Sequence, residues 1–161
     1  MVNSPLVSVN VITYNRRDLL KETIDSILNQ SFQDFELIVV DNFSNYDFFG
    51  FIDSYKDERI RGFQNQNNGI YMINRNFAVR ESKGDYIAIC DDDDLWKQHK
   101  LEKQLKAFEQ NTSLLLVGTG AENLGNTHVL YELWSGLMRY FSVSRTISFK
   151  QLLRLNIIPS L

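Results

Sequence analysis

Four consecutive carboxylates, Asp91-Asp92-Asp93-Asp94, are the residues of this chain whose type and spacing point most directly to chemistry. Neighbouring carboxylates repel, and each raises the cost of ionising the next, so the run is stable as an anionic cluster only when well hydrated or holding a cation. It follows straight on the apolar run Tyr86-Ile87-Ala88-Ile89-Cys90, a setting that favours the cation over the competing reading of a solvated acidic turn. Oxygen-only ligands select hard ions, Mg²⁺, Mn²⁺ or Ca²⁺, over zinc or copper. Mg²⁺ or Mn²⁺ bound by one or two carboxylates completes its shell with substrate phosphates. An EF-hand loop does not fit: counted from Asp91, Leu95 takes the fifth position, which needs an oxygen, and Trp96 the sixth, which needs Gly.

The elements that must hold these carboxylates are legible on either side. Residues 86–90 show no polar alternation and read as a strand buried on both faces, as in a parallel sheet covered by helices. Leu6 to Ile12 is a first strand, rich in β-branched residues, that stops at Thr13-Tyr14-Asn15-Arg16. Leu20, Ile24, Ile27 and Leu28 predict a helix from Arg17 to about Gln30, and Phe35 to Val40 a second strand that stops at Asp41-Asn42-Phe43-Ser44-Asn45. That βαβ order implies a parallel sheet.

A second helix is expected within Tyr46 to Lys56, a weaker strand over Arg59 to Phe63, and an amide-rich loop from Gln64 to Gly69. A third helix, marked by Ile70, Ile73, Phe77 and Ala78, is expected to stop at Gly84. Trp96, Leu101, Leu105 and Phe108 predict a helix from about Lys97 to Glu109, Leu114 to Val117 a further strand, and Ser148 to Leu155 a short helix capped by Ser148. Val129 to Phe141 has no clean period. The expected class is α/β, a Rossmann-like, mostly parallel sheet flanked by helices.

Composition narrows the function. With 161 residues, 43% hydrophobic and 12% aromatic, the chain has the material for one domain with a real core. A net charge of −3 with scattered Lys and Arg offers no field for nucleic acid. Cys90 is a lone cysteine within an apolar run, read as a small core residue. No secretory signal and no apolar run of the ~20 residues needed to span a membrane is present, so the expected location is cytoplasmic. His99 and His128 have no spaced partners and are assigned neither metal nor catalysis. The apolar ending, Asn156 to Leu161, leads to the expectation that the domain is incomplete at its C-terminus.

Ligands of an open parallel sheet bind beyond the carboxyl ends of the strands, and three polar clusters occupy such ends: Thr13 to Arg16, Asp41 to Asn45 and Asp91 to Asp94. Asp41 and the amides beside it can hydrogen-bond a heterocycle, Tyr14 can supply a flat face, and the aspartates can hold a metal on phosphate oxygens. A nucleoside diphosphate suits that set. Neither G-x-G-x-x-G nor G-x-x-x-x-G-K-[ST] occurs, which disfavours a dinucleotide dehydrogenase and a P-loop NTPase.

From Val7-Ser8-Val9 and Thr13-Tyr14-Asn15-Arg16, through Ser26 to Phe32 and Phe35 to Asn42, the sequence resembles the family 2 glycosyltransferases. The resemblance continues through Asn68-Gly69, Arg75-Asn76, Gly84 to Ile87, the aspartate run, Trp96-Lys97 and Lys100 to Gln104, covering roughly residues 6–110. It implies a GT-A fold, with 1–110 as the nucleotide-sugar-binding half and 111–161 as the start of the acceptor-side half. By resemblance Tyr14, Asn15 and Asp41 contact the nucleoside base, Asp41 accepting from the ring N–H, with Thr13 and Arg16 beside them. Asn68, Gly69, Arg75 and Asn76 border the donor. Asp91 to Asp93 match the D-x-D motif, with Asp92 near the ribose, Asp93 as direct metal ligand and Asp91 on the donor or the metal. The structural alternatives are that Asn76 caps a turn, Arg75 is a solvated helix residue and Tyr14 is partly core.

The implied reaction is inverting transfer from a nucleotide-diphosphate sugar, most simply a UDP-sugar, to a glycan or lipid-linked acceptor with Mn²⁺ or Mg²⁺. The implied setting is bacterial surface polysaccharide synthesis at the inner face of the membrane, with peripheral contact left open. The sequence departs from the family in two places. Asn42-Phe43 stands where the family often has Asp and Gly, and the family's catalytic carboxylate lies downstream of a segment like Leu152 to Ser160, so the general base is expected beyond Leu161. Two alternatives remain open: a non-catalytic nucleotide-sugar-binding module, and a nucleotidyltransferase, for which Thr13 to Arg16 is a poor triphosphate loop.

Overall fold

The computed structural model describes residues 4–122. Chain contacts divide the protein into two units, Met1–Lys106 and Ala107–Leu161, and every sheet strand belongs to the first. The strands are β1 (Val7–Thr13), β2 (Phe35–Asp41), β3 (Ile60–Gln64) and β4 (Tyr86–Asp91). The helices between and after them are α1 (Arg17–Leu28), α2 (Phe48–Asp53), α3 (Tyr71–Glu81) and α4 (Lys100–Gln110). The sheet runs β3-β2-β1-β4, and every pair in it is parallel.

Alternate residues of a strand face opposite sides of a sheet. On one side Val7, Val9, Val11, Phe35, Leu37 and Val39 pack with Leu20, Ile24 and Ile27 of α1, Phe48 and Ile52 of α2, and Leu101 at the start of α4. On the other, Ile38 and Val40 meet Ala78 and Phe77 of α3. Because β1 and β2 are covered on both sides, their residues are almost continuously buried. The α3 side also holds a polar group: Ser8 Oγ donates to Glu36 Oε1 (2.7 Å), and Arg61 Nη1 donates to Glu36 Oε2 (2.8 Å). The backbone N–H of Lys83 donates to Glu36 Oε1 as well, at 2.7 Å.

Three expectations are corrected. Among the described residues β4 is an edge strand, with Ile87 and Ile89 exposed on the α3 side while Cys90 is buried on the other. An apolar run reveals what a strand can bury but not which neighbours it obtains. Helix α3 stops at Glu81, three residues before Gly84, because Ser82 turns extended and its hydroxyl donates back to Ala78 O. Gly84 instead permits close approach: a Cβ there would lie 2.6 Å from the backbone nitrogen of Ser8. Leu114 to Val117 form no strand; Leu115 is 90% exposed, and no described strand pairs with the segment. The expected helix at Ser148 to Leu155 and the segment Val129 to Phe141 lie outside the described residues.

Candidate functional site

Parallel pairing brings the polar strand ends into one row. Thr13 is opposite Asp41, Asp41 is opposite Gln64, and Ile12 is opposite Asp91. The three clusters therefore share the carboxyl edge of the sheet, where loops and helix N-termini converge.

Hydrogen bonds join the first two loops. The N–H of Asn42 donates to Thr13 O (3.1 Å), that of Asn15 to Ser44 Oγ (2.7 Å), and that of Asn45 to Asn15 Oδ1 (2.8 Å). The amide-rich loop attaches to the same frame: Asn67 N–H donates to Asn42 Oδ1 and Gly69 N–H to Asn67 Oδ1, both at 2.9 Å. Asn15, Phe43, Asn68 and Gly69 all have positive φ, which bends the loops around an open cavity of about 300 Å³. Its lining residues are Tyr14, Asn42, Phe43, Gln66, Asn68 and Gly69. Tyr14 is exposed and not part of the core.

Asp41, next in sequence to the lining residue Asn42, is fully buried and does not line this cavity. Its oxygens accept from Ser44 N–H (2.9 Å), Ser44 Oγ and Gln64 Nε2 (2.9 Å). In this geometry it braces the loop, and because it is fully buried contact with a base requires a covering group to move. Sequence reading assigned Asn68 and Gly69 and placed Asn42 and Ser44 in the polar cluster beside Asp41, but it gave no role to Phe43, Gln64 or Gln66. The concentration of amides from Gln64 to Asn68 was the available signal.

The aspartate run divides across the sheet edge. Asp91 turns to the α3 side and accepts from Arg75 Nη2 at 2.9 Å. Asp92 turns to the α1 side, accepting from Thr13 Oγ1 (2.8 Å) and Arg16 Nη1 (3.1 Å), while Asp93 Oδ2 accepts from the same Arg16 nitrogen at 2.8 Å. Burial pushes the Asp92 carboxyl up, and the Thr13 hydrogen bond and the Arg16 charge counter only part of that. Burial, reinforced by repulsion from Asp91 and Asp93, also raises Asp94. Arg16 is held further toward its charged form by Asp92 and Asp93. Arg75 is only 12% exposed, so it is not a solvated helix residue, and its Nη1 is buried without a hydrogen-bond partner among the described residues. Asn76 lies exposed inside α3 and caps no turn.

The glycosyl transferase family 2 profile matches residues 8–156. The chain belongs to that family. It is 40% identical over 104 residues to TuaG of Bacillus subtilis (strain 168), provisionally named a teichuronic acid biosynthesis glycosyltransferase, covering 63% of this chain and 41% of that one. It is 35% identical over 104 residues to WfaP of Escherichia coli, named a UDP-Glc:alpha-D-GlcNAc-diphosphoundecaprenol beta-1,3-glucosyltransferase, with 65% and 41% covered. This chain thus spans less than half the length of either relative. Among solved structures, S. aureus TarS 1–349 in complex with UDP superposes with a TM-score of 0.64 at 25% identity, over 78% of this chain and 39% of TarS 1–349. The mannosyltransferase PcManGT of Pyrobaculum calidifontis, with GDP-Man and Mn²⁺, gives 0.59 at 25% identity, over 69% and 34%. The parallel sheet and its flanking helices are those of the GT-A fold.

A divalent ion fits the residues present. Asp91 and Asp93 offer only oxygens and are each nearly half exposed, and a guanidinium already occupies a cation's position at Asp93. Among the described residues no three acidic, His or Cys side chains converge. An ion held by only one or two carboxylates keeps several waters and takes phosphate oxygens from a ligand.

Proposed function

We propose that this chain supplies the donor-binding and metal-binding part of an inverting, metal-dependent glycosyltransferase that uses a nucleotide-diphosphate sugar. The observation that carries the reading is the row Thr13, Asp41, Gln64 and Asp91 along one sheet edge, with the base-sized cavity and the exposed carboxylates on the same rim. The teichuronic acid biosynthesis in the name of TuaG supports a surface polysaccharide product, and the UDP-Glc in the name of WfaP with the neighbour solved with UDP supports a UDP-sugar donor. The lipid-linked acceptor in the name of WfaP supports a lipid-linked or glycan acceptor here, reached at the inner face of the membrane. No described helix is long and apolar enough to cross a membrane, and the membrane contact we propose is peripheral.

Each residue then has a role. Tyr14, Asn15, Asn68 and Gly69 shape the base cavity, and Asp41 braces the loop. Thr13 and Arg16 hold Asp92 toward the ribose. Arg75 fixes Asp91 and presents its unpartnered Nη1 to an anionic donor oxygen, with Asn76 beside it. Asp93, with Asp91, holds the divalent ion. When bound, that ion neutralises charge on the departing diphosphate. In this reading the rim residues orient the donor for attack by an acceptor hydroxyl. The proton of that hydroxyl needs a general base, and we assign the role to no described residue.

Calorimetry with UDP, GDP, CDP and dTDP, each with and without Mn²⁺, tests the reading. Metal-enhanced binding of at least one diphosphate is expected, and metal-independent or absent binding of all four refutes the donor site. Asp93→Ala should lose the metal enhancement while keeping much of the nucleoside affinity. Transfer by this chain alone would show that the base is already present.

A further inference from the structure

We propose that Phe43 is a binding residue of the donor site, an aromatic wall that selects the planar base, and that its strained backbone is retained for that contact. The inference rests on the donor-site reading above but concerns a residue to which that reading gives no role. Phe43 has φ +59°, the left-handed region, where a bulky side chain crowds its own backbone and glycine does not. The residue is 58% exposed. It belongs to neither apolar cluster, and among the described residues it stacks on no other ring. The free protein thus carries both a strained backbone and a wet aromatic surface at one residue, with no packing gain to offset either.

The strain is imposed by the neighbours. Asn42 is tied through its N–H to Thr13 and through its side chain to Asn67, while Ser44 is tied twice to Asp41. With both flanks held, the chain at Phe43 has no room to relax, and the ring is presented at the cavity that Tyr14, Gln66 and Asn68 also line. Strained backbone that persists because its surroundings over-determine it is concentrated at ligand sites. Two aromatic faces with amide donors and acceptors between them match a heterocycle that stacks through its flat surface and hydrogen-bonds at its edge. Stacking uses the face common to all bases, so Phe43 contributes affinity for the base and leaves discrimination to the amides.

Two variants separate the ring from the strain. Phe43→Ala deletes the ring and keeps a Cβ in the left-handed region; Phe43→Gly deletes the ring and removes the crowding. Both should weaken UDP binding in the presence of Mn²⁺ by roughly 5-fold to 100-fold, the range for loss of one base-stacking aromatic. Binding of Mn²⁺ with inorganic pyrophosphate, which has no base, should stay within about 2-fold of wild type for both. Phe43→Gly should also unfold at a higher temperature than Phe43→Ala. Wild-type UDP affinity in either variant, or an equal loss of UDP and pyrophosphate binding, overturns the assignment of Phe43. A wild-type protein that binds no nucleotide overturns the donor-site reading itself.

Discussion

Replacing Arg16 by Gln is expected to tighten Mn²⁺ binding by the nucleotide-free protein. Arg16 Nη1 lies 2.8 Å from Asp93 Oδ2 and 3.1 Å from Asp92 Oδ1, so an ion taking Asp93 through Oδ2 competes with the guanidinium for it. Arg16 is half exposed and Asp93 nearly so, which puts their pairing in the screened range of about 0.2–1 kcal/mol. When a pairing of that strength blocks the ligand-competent state, the apparent affinity drops by one plus the pairing equilibrium constant, about 2-fold to about 6-fold. Arg16→Gln should recover that factor. Because the pair is exposed, the gain should shrink as salt is raised from about 0.01 M to above 0.15 M, where the screening length drops below ~10 Å. Titration of free Mn²⁺ by electron paramagnetic resonance, on wild type and variant at both salt concentrations, reads the ratio directly. An unchanged or weaker Mn²⁺ affinity in Arg16→Gln would refute the competition, and equal ratios at both salt levels would refute its electrostatic origin.

The buried group around Glu36 and the contact at Gly84 yield two further predictions. Burial raises the Glu36 carboxyl, but hydrogen bonds from Ser8, Arg61 and Lys83 N–H, with the Arg61 charge, outweigh it and leave the carboxyl below the usual range. A group lowered in the folded state stabilises above its unfolded value, about 4.3 for Glu, and loses that contribution as pH falls through the folded value. Urea unfolding should therefore show wild type well above Glu36→Gln at pH 7, with the gap closing below about pH 4. Arg61→Met, which leaves the carboxylate buried and less compensated, should cost about 3 kcal/mol at pH 7. Gly84→Ala should cost about 1–3 kcal/mol, because the added Cβ meets the backbone of Val7 and Ser8 in β1, and a thermal midpoint equal to wild type would contradict that packing.

Much of the site was legible in the sequence because parallel strands linked by helices all end on one edge. The polar stops at Thr13, Asp41 and Asp91 had therefore to lie on the same edge once the βα alternation was read, and the register places them there. The helix face of Leu20, Ile24 and Ile27 was likewise carried by spacing alone. The Gly-for-close-approach role of Gly84 was not legible, since a helix stop and a contact with a distant strand call for the same residue.

What residue order determined by itself was local: which segments alternate, which faces are apolar, and where each strand turns polar. Only the tertiary structure decided that β4 lies at the edge, that Asp91 and Asp92 part to opposite sides of the sheet, and that Arg16 reaches carboxylates 76 and 77 residues away. It also decided that Asp41 is covered by Ser44 and Gln64, and that Phe43 is held in the left-handed region. The reason is physical: periodicity records which side of an element a residue takes, whereas partners, exposure at an edge and backbone strain arise from segments distant in the chain packing against one another.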